Sequence, residues 1–275
     1  MMTAFLDHLL TGEPLAGELV IDVHAHIGPY RAFYLPDPWA DGLLRSMDRL
    51  GITLTLCAPT LAIGPDPVNG NLQILQAQQA APTRLRGYVT VSPHQPEHEM
   101  LGELERYLFQ EQFAGIKLHP SIHGYSLLGP NYAPVYEFAR AHGIVILSHG
   151  WLGDANCDPN AFLQLAKRYP DITFLLGHSG GTLDGNEQSI AAAKEAENLH
   201  LDLTASIRGY GMLERMVDQL GAERLLFGTD STFLEPSVVF GCVLGGRISD
   251  EAKRLIFGGN ARRLFGERIA PYLAG

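Results

Sequence analysis

Short apolar runs and longer stretches of helical periodicity alternate along the whole chain. The runs are Leu19–Val23, Ile52–Ala58, Leu85–Val91, Ala114–Leu118, Ile144–Leu147, Ile172–Leu176, Leu199–Leu203 and Arg224–Phe227. Each has roughly 4–7 residues, too few for a core helix, and most are continuously apolar, as strands of a parallel sheet covered by helices are. Between them the periodicity predicts helices around 38–50, 68–81, 96–109, 131–142, 158–168, 185–196, 209–219 and 249–256. Pro134 and Pro159 lie near helix starts, and Gly51, Gly143 and Gly221 fall where a helix-ending glycine belongs. Asp250 and Asn260 are expected to be N-caps, the second opening a last helix over Asn260–Phe265. Eight uninterrupted β–α units suit a closed ring better than an open sheet. The pattern therefore predicts a single-domain α/β fold, a (β/α)8 TIM barrel over 19–275, with an N-terminal extension over 1–18.

Composition narrows the picture further. The 275 residues fit one barrel of ~250 residues as well as two ordinary domains, and the repeat selects the barrel. A hydrophobic fraction of 46% excludes disorder. Thirty acidic residues against twenty basic ones give a net charge of −10, which disfavours binding to nucleic acid. Three scattered cysteines, Cys57, Cys157 and Cys242, build neither a disulfide framework nor a zinc ribbon. The first residues lack a basic stretch and carry Asp7, His8 and Glu13, a poor signal peptide. No run is long and apolar enough for a membrane helix. The expectation is a cytoplasmic protein with no membrane or nucleic-acid partner. A phosphate-binding Gly-x-x-x-x-Gly-Lys-Ser/Thr loop is absent.

In such a barrel, function sits where the strands end. The first run leads into Asp22-Val-His24-Ala-His26, and alternate residues of a strand share a face. Simple alternation then puts both imidazoles in the barrel mouth with Asp22 one layer below. The fourth run ends Lys117-Leu-His119, the fifth Ser-His149, the sixth Gly-His178 and the eighth Gly-Thr-Asp230. Five of eleven histidines thus gather at four strand ends. Imidazole and carboxylate are the usual ligands of Zn²⁺ and similar ions. The other six histidines scatter over loops, helices and one strand.

These residues resemble the amidohydrolase superfamily of metal-dependent barrels. Gly115-Ile-Lys-Leu-His-Pro120, the segment starting at His178, Gly228-Thr-Asp-Ser231 and Gly259-Asn-Ala-Arg-Arg-Leu-Phe265 are similar to its amidohydrolase-related branch, which includes hydrolases and non-oxidative decarboxylases. The resemblance implies His24, His26, His149 and Asp230 as ligands of one or two divalent ions, Zn²⁺ first and Mn²⁺ second. It implies His178 as acid/base or polarising group, and Asp230 as proton acceptor as well as ligand. Asp22 would orient the first-strand histidines. In binuclear relatives a carboxylated lysine ends the fourth strand, so Lys117 is either metal-bridging or an amine with a structural or substrate-carboxylate contact, and His119 beside it is a further candidate for metal or substrate.

The implied reaction is hydrolysis of a small amide, lactone or ester by a metal-activated water, whose pKa can fall to ~7. The alternative is decarboxylation of an aromatic or muconate-type acid; a catalytically silent metal-binding barrel is the reading outside enzymes. Arg31, Trp151 and Arg208 lie on loops at the same end, and two arginines suit an anionic small-molecule substrate. The family also forms dimers, so a homo-oligomer is expected. Two rival chemistries share single motifs. Gly177-His-Ser179-Gly-Gly181 fits a serine-hydrolase elbow, but only His200 follows it as a base. A barrel nuclease shares the paired histidines and lacks the basic surface it needs.

Overall fold

The apolar runs form eight parallel strands in a computed structural model that describes residues 4–32, 34–205 and 209–273. They are β1 (Ile21–Ile27), β2 (Leu54–Pro59), β3 (Leu85–Thr90), β4 (Gly115–Leu118), β5 (Ile146–His149), β6 (Phe174–Gly177), β7 (Leu199–Asp202) and β8 (Leu225–Leu226), hydrogen-bonded side by side in chain order. The last strand meets the first. Val23 N donates to Phe227 O at 3.0 Å, Asp230 N donates to His24 O at 2.7 Å, and Ala25 bridges to Ser231. This is the single (β/α)8 barrel that the sequence predicts.

Two packing layers hold it. Ile21, Val23, Leu54, Leu56, Tyr88, Val145, Leu147, Leu175 and Leu226 form one buried cluster with Ala261, Phe265 and Ile269 from the C-terminal segment. A larger cluster, including Ala25, Ile27, Cys57, Val89 and Ile116, joins the strands to the surrounding helices. The N-terminal helix Ala4–Thr11 adds Phe5 to this second layer, where its ring stacks on Phe257 at 5.9 Å. All three cysteines are free thiols.

Several strands begin about two residues later than the apolar runs suggest. The cause recurs. Gly51 and Gly143 end their helices at φ 77° and 62°, and the isoleucine that follows each donates back into the helix: Ile52 N to Met47 O and Ile144 N to Ala139 O, both 2.9 Å. A left-handed glycine followed by an apolar residue folded onto the last turn is a helix stop. Ile52 and Ile144 are therefore buried closures of helices rather than strand residues.

Helix starts needed correction too. Asp250 is the first helical residue, and its predecessor Ser249 is the cap, accepting from Ala252 N at 3.1 Å. Asn260 is not a cap. It lies within continuous helical backbone, and its amide donates to Ala222 O and Leu225 O at 2.7 and 2.8 Å, tying the helix to the start of β8. The helix Ser237–Gly245 was not foreseen, because its uniformly apolar face pattern carries no helical period.

Candidate metal centre

The register of β1 slips once. Asp22 pairs with Thr55 and Ala25 with Cys57, so the first strand carries one extra residue between them. Val23 belongs to the inner cluster and Ala25 to the outer one, and His24 follows Val23 into the barrel instead of turning away. Simple alternation through Asp22, His24 and His26 therefore does not hold. Beyond the slip, His24 and His26 present their Nε2 atoms to Asp230 Oδ1 at 3.7 and 3.3 Å. These three residues are a buried group whose ligand atoms all lie within 4.8 Å of one another.

Each histidine is set with its other nitrogen engaged. His24 Nδ1 donates to Asp202 Oδ2 at 2.5 Å, and His26 Nδ1 donates to Ala58 O at 3.2 Å. A donated Nδ1–H leaves the Nε2 lone pair for a cation, the usual arrangement around a ligating imidazole. Asp202 was missed at the sequence level although it ends β7. Its position among leucines, Leu201-Asp202-Leu203, hid it inside an apolar run. Asp202 Oδ1 in turn accepts from Thr204 N and Oγ1 at 3.0 and 2.6 Å. Gly228 makes this possible, since a Cβ there would sit 2.3 Å from both Asp202 Oδ1 and Thr204 Oγ1.

Asp22 lies elsewhere. Its carboxylate accepts from His24 N at 3.0 Å, Thr229 N at 3.1 Å and Thr229 Oγ1 at 2.5 Å, binding β1 to the segment that carries Asp230. Asp230 itself has φ 62°, a left-handed backbone that costs a non-glycine residue about 1–2 kcal/mol. Its carboxylate is turned between the two imidazoles at that cost.

The remaining predicted residues surround this group. Lys117, fully buried on β4, donates from Nζ to His24 Nε2 at 2.6 Å. The His178 ring lies 4.9 Å from that of His24 and 4.7 Å from that of His149, and His149 is not among the three residues whose ligand atoms meet. His119 stacks on His149 at 4.3 Å. Trp151 runs parallel to His149 at 6.1 Å and edge-on to His178 at 5.7 Å. On the opposite flank Phe233 stacks on His26 at 4.6 Å, and the Tyr30 ring lies tilted against Phe233 at 4.7 Å. Arg31 is exposed at the rim of a neighbouring cavity of about 620 Å³, shared with Tyr30, Trp39, Ser92 and His123. Arg208 falls outside the described residues.

Burial sets the protonation states. It depresses the imidazoles of His24, His26, His119 and His149, and pushes His178 down to about 4, so all five are neutral near pH 7. Burial works against the charge of Asp230, yet the surrounding imidazoles of His26, His178 and His24 hold its carboxyl well below the usual range. Burial pushes Asp22 up to about 7 and Lys117 down to about 8. Neutral imidazoles beside an ionised carboxylate are the donor set a divalent cation needs, and the buried His178 Nδ1 has no hydrogen-bond partner among the described residues. The residues fit a metal.

Ser179 does not fit a nucleophile. It is fully buried, and its hydroxyl donates to Asp202 O at 2.6 Å. The serine-hydrolase reading ends there.

The amidohydrolase family profile matches residues 21–266. The chain belongs to the amidohydrolase family. Among solved structures, this amidohydrolase is similar to a TIM-barrel protein from Bordetella bronchiseptica, at 17% identity over 90% of this chain and 99% of that one, with TM-score 0.74. It is similar to a dihydroxybenzoic acid decarboxylase from Polaromonas sp. with bound manganese and the inhibitor 2-nitroresorcinol, at 18% identity over 94% and 100%, TM-score 0.71. A 4-oxalomesaconate hydratase from Rhodopseudomonas palustris aligns at 17% identity over 93% and 98%, TM-score 0.70. No curated protein matches in sequence. Family membership makes the amidohydrolase an enzyme of this superfamily, with a donor group suited to a divalent ion. No helix among the described residues is long and apolar enough to cross a membrane.

Proposed function

We propose that the protein is a metal-dependent hydrolase of a small organic amide, lactone or ester, acting at the mouth of the barrel. The observation that carries this is Asp230 set between the Nε2 atoms of two imidazoles whose Nδ1 atoms are engaged by Asp202 and Ala58 O. His24, His26 and Asp230 would hold the ion, with His149 reached through movement of its ring; zinc is the first candidate and manganese the second. A divalent ion held there supplies Lewis acidity, polarising a carbonyl and making water acidic enough to lose a proton at neutral pH.

The chain's own groups do the rest. Asp230 Oδ accepts the proton of the attacking water, because its carboxylate is ionised throughout the neutral range. Neutral His178 donates a hydrogen bond to oxygen as negative charge develops on it, and Asp230 passes the proton it took from the water to the leaving group. Asp202 holds the His24 ring in one tautomer while this happens. Trp151 on one flank and Phe233 with Tyr30 on the other shield the site from bulk water.

The aromatic flanks favour a second reading. Trp151 and Phe233 would offer an aromatic acid ring faces beside the histidines, and several of the similar structures are decarboxylases of substituted benzoates. There the site would bind the acid and deliver a proton to the carbon that loses CO₂, with Arg31 at the rim meeting a second anionic group. A cytoplasmic location and a homo-oligomeric state complete the proposal.

Metal analysis followed by product detection tests it. Protein purified without chelators should hold about one equivalent of divalent metal per chain, lost in His24→Ala and Asp230→Ala. A panel of lactones, amides and aromatic acids then separates hydrolysis from CO₂ release. Absence of bound metal after incubation with zinc or manganese would refute both readings.

A further inference from the structure

A buried lysine beside a ligating histidine calls for an explanation. Lys117 has no solvent exposure, and its Nζ donates to His24 Nε2 at 2.6 Å. That is the lone pair which faces Asp230 and which a metal would need. The opposite side of the same ring donates to Asp202. His24 is therefore clamped between a carboxylate and an amine, with its ring already in the orientation for coordination. Charge points the same way. Without a metal, the buried carboxylates of Asp202 and Asp230 have no buried cation near them in the described residues except Lys117.

We infer that Lys117 is a stand-in for the metal: its amine occupies the His24 Nε2 lone pair until an ion displaces it, so Lys117 sets the metal affinity by competition. The inference rests on the metal-dependent reading above. An ion at the group of three and an amine hydrogen-bonded to the same nitrogen exclude each other, because one lone pair serves one partner. The like charges of ammonium and metal ion further oppose simultaneous occupancy. Lys117 therefore leaves His24 on metal entry, and metal binding carries the loss of that contact as a penalty. In exchange, the metal-free barrel keeps one buried cation against the carboxylates of Asp202 and Asp230. A lysine that bridges two ions predicts the reverse, since removing it would weaken metal binding.

The test compares wild type with Lys117→Met, which fills the same space without a donor, and with Lys117→Gln should the first variant fail to fold. Zinc alone, and manganese in parallel, is titrated against a chromophoric chelator, and thermal unfolding is followed with and without metal. Lys117→Met should bind about tenfold tighter than wild type. Its metal-free form should melt lower, and the rise in melting temperature on adding zinc should be larger than in wild type. Equal or weaker binding by the variants, with wild type binding normally, overturns the inference and leaves the metal-dependent reading standing. A second equivalent of metal in wild type that disappears in Lys117→Met overturns it in favour of a bridging lysine. Failure of every form to take up metal removes the metal-dependent reading and the inference together.

Discussion

His24 shows how much one side chain depends on its neighbours. Its tautomer is set by Asp202; in Asp202→Asn the one remaining oxygen stays on Thr204 N, so an NH2 donor faces His24 Nδ1 in place of the acceptor. Zinc affinity should fall ~10–100-fold, with the barrel still folded by circular dichroism. A histidine away from this group adds its own acid sensitivity. His200, buried on β7 beside Arg224 and Arg263, is pushed down to about 3, first by burial and then by those cations. In the unfolded chain it titrates near its ordinary value of 6.5. Between these limits the unfolded state binds a proton that the folded state does not, so stability falls as pH drops through that window and is fully present above it. His200→Gln should flatten the acid limb by up to about 1.4 kcal/mol per pH unit, read from urea unfolding at several pH values. The gathering of polar residues at the strand ends was largely legible in the sequence. Histidine is rare, and its gathering at strand ends stands out, whereas Asp202 was masked by the leucines on either side.

At the level of elements, glycine at the helix ends separates two physical costs. Gly51 and Gly143 share a left-handed backbone, but a Cβ on Gly51 would approach Leu15 O to 2.4 Å while one on Gly143 meets open space. Gly143→Ala should therefore cost about 1–2 kcal/mol from backbone strain alone. Gly51→Ala should cost clearly more, and equal losses in denaturant unfolding would count against this account. The eight strands were readable because continuous apolar runs are what a doubly covered sheet requires. Their starts were not, because Ile52 and Ile144 are as apolar and as buried as any strand residue and differ only in where their amides donate. The slip in β1 was invisible for a related reason: it is a matter of backbone pairing, and no residue type between Asp22 and Ala25 announces it.

Over the whole molecule, the eightfold alternation was sufficient to predict the barrel, and the polar residues at its strand ends located the candidate centre. What the sequence could not show is how the ring is sealed. The closing contacts run from Val23 and His24 in the first strand to Phe227, Thr229, Asp230 and Ser231 at the end of the last. The donor group uses the same two pieces of chain, His24 and His26 from one and Asp230 from the other. A bound ion would thus be a clasp across the two ends of a 275-residue circuit. Amide hydrogen exchange should slow on zinc addition at Val23, Thr229 and Asp230, with little change at the β4–β5 pairing across the ring. The clasp also has an order in time: it cannot be formed until the eighth strand has emerged and docked, so metal uptake by a growing or refolding chain would mark the moment at which the barrel becomes a ring.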